Sequence, residues 1–166
     1  MNITFGGNKV ALAGEEIKVG VKAPEFKAVK TDLSEFDSKV NEGKVIIYSI
    51  APSIDTPVCS LQTRTFNEDA AELSKDIEII TITVDLPFAQ GRFCANEGIE
   101  NTLTISDYNG HDFGKKYGFL MTENKLLARG IVIVGKDGNV EYVEYVPEVT
   151  DEVNFAKALE EAKKLV

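Results

Sequence analysis

Cys59 is the residue of this chain whose setting most favours chemistry. It follows the apolar run VIIYSI (45 to 50), three residues after Thr56 and two after Pro57. The chain has only one other cysteine, Cys94, and no CxxC motif, which argues against a disulfide scaffold and against a thioredoxin-type dithiol. In a reducing compartment, two such cysteines are either small buried hydrophobic residues or chemical groups.

The residues before Cys59 predict that it lies in the first turn of a helix. Pro57 disfavours helical backbone angles at Thr56 and suits the first helical position, so we expect Thr56 as the N-cap and Cys59 as the third helical residue. The sulfur would then lie among the unpaired N–H groups of the helix start. Lowering the titration point of a thiol by about two pH units requires roughly 2.7 kcal/mol in favour of the thiolate. A helix terminus typically supplies about 0.3 to 1 kcal/mol, so a cationic side chain must contribute the rest.

Three arginines are candidates for that cation. Arg64 is five residues further along the same predicted helix and would point to another face, and Arg92 is two residues from Cys94. Arg129 opens the apolar stretch GIVIVG, and an arginine beside a buried strand needs an anionic partner. Arg129 is therefore the most interesting of the three, although spacing alone does not choose among them. The alternative for Arg129 is a surface ion pair at the end of the strand.

Other uses of Cys59 fit the sequence less well. A cysteine hydrolase needs a histidine base, and the only histidine, His111, sits in the turn-like segment YNGHDFG. Two cysteines and one isolated histidine make a poor zinc site, so we expect no metal and no cofactor. Gln62 stands where the second cysteine of a CxxC motif would be, which excludes thioredoxin chemistry.

Composition predicts an ordinary globular protein with a single domain over residues 1–166. Apolar residues make up 43% of the chain and charged residues 27%, and the net charge of -9 argues against a nucleic-acid partner. No apolar run approaches the roughly 18 residues of a membrane span, so we expect no membrane partner. The N-terminus lacks the features of a signal peptide, and we expect a cytoplasmic protein. A periplasmic chain whose signal peptide had been removed would look the same.

The apolar pattern predicts an α/β fold with a mixed central sheet. Four segments are strand candidates: VIIYSI, EIITITV (78 to 84), GIVIVG (130 to 135) and NVEYVEYV (139 to 146). The first three are nearly continuous in apolar or β-branched residues, as strands covered on both faces are. The turn GKDGNV makes the last pair an antiparallel hairpin, and NITF and KVAL flank glycines that predict an N-terminal β-hairpin. Glutamates on both faces of the last strand suit an edge strand or a subunit contact.

Two apolar stripes predict helices on both sides of that sheet. The stripes are Phe66, Ala70, Leu73 and Ile77, and Phe155, Leu159, Ala162 and Val166. In each set the residues recur at i, i+4, i+7 and i+11, which places them on one helix face. A weaker helix is expected from Phe88 to about Asn96. The order of strands and helices matches the thioredoxin-like plan, a mixed sheet flanked by helices.

Three motifs resemble those of a known family. GVKAPEF (20 to 26) resembles the entry motif of peroxiredoxins, and PSIDTPVC (52 to 59) resembles their PxxxTxxC active-site signature. DLPFAQGRFC (85 to 94) is similar to a segment of the bacterial thiol peroxidases, which are atypical two-cysteine peroxiredoxins. The resemblance covers essentially the whole chain, including the N-terminal hairpin. It implies a thioredoxin-like fold and a thiol-dependent peroxidase that serves in antioxidant defence.

The resemblance assigns roles to five positions. Cys59 would be the peroxidatic cysteine, with Pro52 shielding it and Thr56 hydrogen-bonding the peroxide. Arg129 would hold the thiolate and the developing oxyanion, and Cys94 would be the resolving cysteine. Cys59 would become a sulfenic acid and then form an intramolecular disulfide with Cys94, which thioredoxin would reduce. Hydrogen peroxide and organic hydroperoxides as substrates, and a homodimer, are also implied.

Two other functions are compatible with the same residues. One is a peroxide sensor or relay, which would use the cysteines to oxidise a partner protein instead of turning over. The other is a silent thioredoxin-fold binding module whose cysteines are only structural. A relay requires its partner, whereas a peroxidase consumes hydroperoxide with thioredoxin alone. Thr56 could also serve simply as an N-cap, and Pro52 as a turn residue.

Overall fold

In the computed structural model, which describes residues 1–41 and 43–166, a seven-stranded sheet is accompanied by a separate two-stranded hairpin. The strands are β1 (Ile3–Phe5), β2 (Asn8–Val10), β3 (Lys27–Lys30), β4 (Glu35–Asp37), β5 (Val45–Ile50), β6 (Ile77–Thr83), β7 (Leu103–Ser106), β8 (Gly130–Val134) and β9 (Val140–Tyr145). The helices are α1 (Pro57–Ala70), α2 (Pro87–Glu97), α3 (Asp112–Lys116) and α4 (Phe155–Lys163), with a short 3-10 helix at Ser38–Asn41. None of these described helices is long and apolar enough to cross a membrane.

The large sheet is mixed, as the sequence predicts. Its strand order is β4-β3-β7-β6-β5-β8-β9. β5, β6 and β7 are parallel to one another, while β8 runs antiparallel to β5 and β9 antiparallel to β8. The parallel pairs are joined through α1 and α2, which are the helical crossovers that such pairs require. β9 lies at the end of the order, so the predicted edge strand is confirmed.

Apolar side chains fill both faces of the sheet. Successive residues of a strand point to opposite faces, so Val45 and Ile47 of β5 join one apolar cluster and Ile46 and Tyr48 the other. The first cluster packs under α1 and α4, and the second contains Phe113 and the segments that follow it. The prediction of helices on both sides is therefore confirmed, and it explains why β5 and β8 are buried along their whole length.

The two predicted helical stripes are each too long. α1 ends at Ala70, and Ile77 is instead the first residue of β6. The chain turns at residues 71–76, where Ser74 accepts a hydrogen bond from the N–H of Asp76. α4 ends at Lys163, and Val166 lies beyond it with 49% of its surface exposed. In both cases apolar residues after the helix continue its spacing by coincidence.

Three short strands and one short helix have no counterpart among the predicted elements. β3, β4 and β7 have three or four residues each, and α3 has five. Such segments carry too few residues for a periodic apolar signal, so only their backbone hydrogen bonds in the folded protein define them. By contrast, α2 agrees with the weak helix expected from Phe88 to Asn96.

The N-terminal hairpin is confirmed, and Glu148 fastens it to the body of the protein. Gly6 and Gly7 adopt the positive φ angles of 59° and 80° that a two-residue hairpin turn requires. The two oxygens of the Glu148 carboxylate accept hydrogen bonds from the N–H groups of Gly6 and Gly7, each at 2.9 Å. Hydrogen bonds from the hydroxyl of Thr4, the N–H of Gly7 and Thr150 hold the pKa of Glu148 well below its usual range.

We expect Glu148→Gln to loosen this hairpin, because an amide nitrogen would replace one of the accepting oxygens. Hydrogen exchange followed by NMR should show several-fold faster exchange at Gly6 and Gly7, with Glu152→Gln, at an exposed position, as the control. Since folding lowers the pKa of Glu148, its contribution to stability is present above the unfolded value of about 4.3 and is lost as the pH falls through the folded value. Unchanged exchange at the two glycines in Glu148→Gln would contradict this account.

Candidate active site

The first turn of α1 places the sulfur of Cys59 beside the hydroxyl of Thr56. Thr56 is the N-cap, with φ -88° and ψ 148°, and Pro57 follows at the start of the helix, so the sequence prediction is confirmed. The hydroxyl oxygen of Thr56 accepts from the N–H of Cys59 at 3.3 Å and donates to the Cys59 sulfur at 2.6 Å. Cys59 is completely buried. The capping residue therefore also contacts the candidate nucleophile.

Arg129 is the cation that reaches Cys59. Its Nη2 donates to the Cys59 sulfur at 3.0 Å, and its Nε donates to the carbonyl of Val149 at 2.7 Å. The side chain is among the largest fully buried ones, with 2% of its surface exposed, so the alternative of a surface ion pair is wrong. Arg64 instead contacts Ser60 and Glu97 at the surface.

Sheet register explains why these two distant residues meet. β5 and β8 are antiparallel neighbours, with Ile50 opposite Gly130, so the end of β5 and the start of β8 lie at the same edge. Arg129 directly precedes β8, and the loop to α1 directly follows β5. Gly130 is required here because a Cβ atom would come within 2.1 Å of the Glu144 carbonyl oxygen on β9.

Gln62 and Ser49 form a hydrogen-bonded chain that holds Arg129 in place. The sequence analysis assigned neither residue a role at the site. The Oε1 of Gln62 accepts from Arg129 Nη1 at 2.7 Å, and its Nε2 donates to the hydroxyl of Ser49 at 2.8 Å. A signal was present, because Gln62 lies four residues before Phe66 and so on the buried face of α1. A polar side chain in that position must find partners inside the protein.

Asp85 is a second residue that the sequence analysis missed. One oxygen of its carboxylate accepts from the hydroxyl of Ser53 at 2.7 Å, and the other from the N–H of Ile54 at 2.8 Å. The hydroxyl of Thr83 also donates to this carboxylate, at 2.6 Å. Asp85 thus ties the loop before α1 to the end of β6. Asp85 is the first residue of the segment DLPFAQGRFC (85 to 94), but that segment alone does not show which groups its carboxylate contacts.

The structure brings Cys59, Thr56 and Arg129 together but not Cys94. Both cysteines are free. Cys94 lies half-buried on α2, where its thiol donates to the hydroxyl of Thr104 on β7 at 3.4 Å. Pro52 is buried in the loop between β5 and α1.

The arrangement around Cys59 suits a nucleophilic thiolate. Two donors, one of them a permanent cation, converge on one sulfur at the start of a helix. Positive surroundings of this kind stabilise the thiolate, which is the reactive form of cysteine. No histidine hydrogen-bonds to Cys59 among the described residues, so the site lacks the base of a cysteine hydrolase. Fold and site together define a thioredoxin-like protein in which a buried cysteine at the start of α1 is placed to act as a nucleophile.

Comparison with known proteins identifies this class more closely. Residues 18–159 match the Redoxin family. The thiol peroxidase of Halalkalibacterium halodurans is 48% identical over 162 residues, which cover 98% of this chain and 97% of that protein. The thiol peroxidase of Bacillus subtilis is 46% identical, covering 99% and 98% of the two chains. The chain therefore belongs to the thiol peroxidases of the redoxin family, and is a peroxidase of the peroxiredoxin type that uses thiols to reduce peroxides.

Solved structures agree with the fold. A peroxiredoxin-like protein from Aquifex aeolicus superposes with a TM-score of 0.94 at 39% identity, covering 99% of this chain and 97% of that one. A thiol peroxidase from Chromobacterium violaceum gives a TM-score of 0.86 at 21% identity, covering 100% and 99% of the two chains, which shows the shared fold alone. The expected thioredoxin-like architecture is thus confirmed.

We expect Arg129→Lys to slow the reaction of Cys59 with iodoacetamide at pH 7 by at least about tenfold. Three nitrogens of Arg129 serve three separate partners, and a lysine has only one nitrogen. Hydrogen bonds to charged groups contribute roughly 1.5 to 3 kcal/mol each, which sets the size of the effect. Peptide mass spectrometry distinguishes Cys59 from Cys94. Arg64→Lys is the matched control, and equal rates in the two variants would contradict the role of Arg129.

Proposed function

We propose that Cys59 is the peroxidatic cysteine of this enzyme. The observation that carries the proposal is the convergence of the Thr56 hydroxyl and the Arg129 guanidinium on its sulfur, at 2.6 and 3.0 Å. Hydrogen peroxide and organic hydroperoxides are the substrates. Pro52 is buried in the loop between β5 and α1, and in this proposal it shields the sulfur from water.

In the first step the Cys59 thiolate attacks the terminal oxygen of the hydroperoxide. A sulfur–oxygen bond forms and the oxygen–oxygen bond breaks, so the sulfur is oxidised to a sulfenic acid and the peroxide is reduced. The leaving alkoxide or hydroxide takes up a proton and departs as an alcohol or water. Thr56 and Arg129 stabilise the negative charge as it moves from sulfur to the two oxygens, because both are already oriented before the reaction.

In the second step Cys94 acts as the resolving cysteine. Its thiol condenses with the sulfenic acid, a disulfide forms and water leaves. In the present structure Cys94 contacts β7, whereas the Cys59 sulfur contacts Arg129 at the start of β8. In the sheet, β8 is the third strand from β7, so the axes of these two strands are on the order of 14 Å apart. A disulfide needs Cα atoms within roughly 4.4 to 6.8 Å, so the first turn of α1 and the segment around Cys94 must partly unwind to meet.

The proposals for the reductant of the disulfide and for the oligomeric state are based on the resemblance to the family. Thioredoxin reduces the disulfide by thiol exchange, and the enzyme serves in antioxidant defence as a cytoplasmic homodimer. A single domain spans residues 1–166. The sensor or relay is the main competitor, and it differs from the peroxidase by failing to turn over with thioredoxin alone.

The decisive experiment is consumption of cumene hydroperoxide with thioredoxin, thioredoxin reductase and NADPH. We expect the wild type to turn over and Cys59→Ser to show no activity above background. Cys94→Ser should form one sulfenic acid per chain, detected with dimedone, and then fail to cycle. A wild type that is oxidised once at Cys59 and does not cycle would favour the relay or another reductant. No reaction at Cys59 would refute the assignment.

Hydrogen exchange tests the required unwinding. We expect faster exchange in residues 57–63 and 87–97 after oxidation of the wild type to the disulfide, because both segments must leave their present contacts. β5 and β8, which are buried along their length, serve as internal references. Equal protection of both segments in the reduced and oxidised proteins would rule out the unwinding.

A further inference from the structure

We propose that Gln90 is a positioning residue for the resolving step. Its side-chain amide holds α2 against the sheet, and the strength of that contact sets how often Cys94 can leave its present position. The inference rests on the proposed function, in which α2 must partly unwind before Cys94 reaches Cys59. It assigns the control of the second step to a residue that lies outside the Cys59 site.

α2 is attached to the sheet with little apolar burial. Its buried residues are Pro87 and Gln90, and Phe88 has 69% of its surface exposed. None of the α2 residues that the structure describes belongs to either apolar cluster, whereas α1 contributes Phe66 and α4 contributes Phe155. Apolar burial is the dominant favourable term in packing elements together. α2 therefore depends on polar contacts to a greater extent than α1 and α4 do.

The side-chain amide of Gln90 joins α2 to two neighbouring strands. Gln90 is completely buried. Its Nε2 donates to the carbonyl of Ile105 on β7 at 2.9 Å and to the hydroxyl of Thr83 at the end of β6 at 3.0 Å. Because a carbonyl oxygen only accepts, the NH₂ group of the amide must face the sheet. One buried side chain thus supplies hydrogen bonds from α2 to both β6 and β7.

The other end of the same amide makes this attachment weak. Within the part of the chain that the structure describes, the buried Oε1 of Gln90 has no hydrogen-bond partner. A buried acceptor without a partner costs stability, and water would satisfy it once α2 opened. The amide therefore holds the helix in place while keeping the docked and open arrangements close in free energy.

Gln90 and Cys94 leave the sheet together because they lie one turn apart on the same face of α2. The thiol of Cys94 donates to the hydroxyl of Thr104, which directly precedes Ile105 in β7. The two contacts of α2 with this strand are therefore adjacent. A movement that separates this face of α2 from β7 breaks both of them.

Contacts that exist only while α2 is docked slow the second step, because the disulfide forms from the open arrangement. Weakening the Gln90 contact should raise the population of the open arrangement and speed disulfide formation by the same factor. The first step should not change, since the hydrogen bonds of the Gln90 side chain go to Thr83 and Ile105 and not to the groups around the Cys59 sulfur.

The test measures the two steps separately in Gln90→Ala. Alanine is the best helix former, so this change weakens docking without weakening the helix itself. With one equivalent of cumene hydroperoxide, quench-flow and mass spectrometry should show the disulfide forming about fivefold faster than in the wild type, as expected for the loss of one typical hydrogen bond. Sulfenic acid formation in a Cys94→Ser background should keep the parental rate. Asn96→Ala, which removes an exposed amide from the same helix, is the matched control.

Hydrogen exchange in the reduced Cys59→Ser protein tests docking without peroxide. We expect Gln90→Ala to raise exchange at residues 91–97 about fivefold and to leave β5 unchanged. Gln90→Glu, whose ionised carboxylate at pH 8 cannot donate to the Ile105 carbonyl, should act in the same direction. It decides the question if Gln90→Ala does not fold, as judged by circular dichroism.

Two kinds of result would overturn the proposal. One is disulfide formation that is unchanged or slower in Gln90→Ala, and the other is exchange that rises equally in α2 and β5, which would indicate general loss of stability. Because exchange needs no peroxide, failure of the proposed function can be recognised separately. Faster exchange confined to α2, in a protein whose wild type forms no disulfide, would refute the resolving role of Cys94 and leave the docking role of Gln90 standing.

Discussion

The candidate site depends on one interaction, the contact between the buried guanidinium of Arg129 and the sulfur of Cys59. Moving a charge out of water costs several kcal/mol, and a buried ion is tolerated only when hydrogen bonds and an opposite charge compensate for it. Carbonyl and amide oxygens satisfy two of its donor positions, but neither carries a formal charge. The third position is directed at Cys59. In the proposed mechanism, a thiolate at Cys59 supplies the opposite charge that the buried arginine otherwise lacks.

The sheet holds this charge rigidly because its supports come from separate elements that share one edge. Ser49 orients Gln62 from β5, Val149 contributes a carbonyl from the segment after β9, and Asp85 ties down the loop before α1 from the end of β6. Each support belongs to or adjoins a strand that is fixed by its neighbours in the ladder. Such a site is oriented before any substrate arrives, which is the condition for stabilising charge without reorganisation.

Local chemistry in the sequence was sufficient to predict the start of α1, because Thr56 and Pro57 constrain only their own neighbours. The long apolar strands were also predictable, since burial on both faces leaves a continuous pattern. The partner of the cysteine was predictable only in part: Arg129 stood out because it precedes a buried strand, but spacing alone did not exclude Arg64 or Arg92. Gln62 contacts Arg129, which is 67 positions away along the chain. Asp85 contacts Ser53 and Ile54, which are 32 and 31 positions away. Contacts of that range follow from strand register, which a single sequence does not display.

In the proposed cycle, the contacts that activate the sulfur also hold it apart from Cys94. Thr56 and Arg129 bind the sulfur most strongly while it is an anion, since charge-assisted hydrogen bonds are roughly twice as strong as neutral ones. Oxidation to a neutral sulfenic acid removes that charge, so both contacts weaken at the moment when the first turn of α1 must open. The same weakening deprives Arg129 of its counter-ion and makes the closed arrangement less favourable. The chemistry of the first step thereby favours the motion that the second step requires.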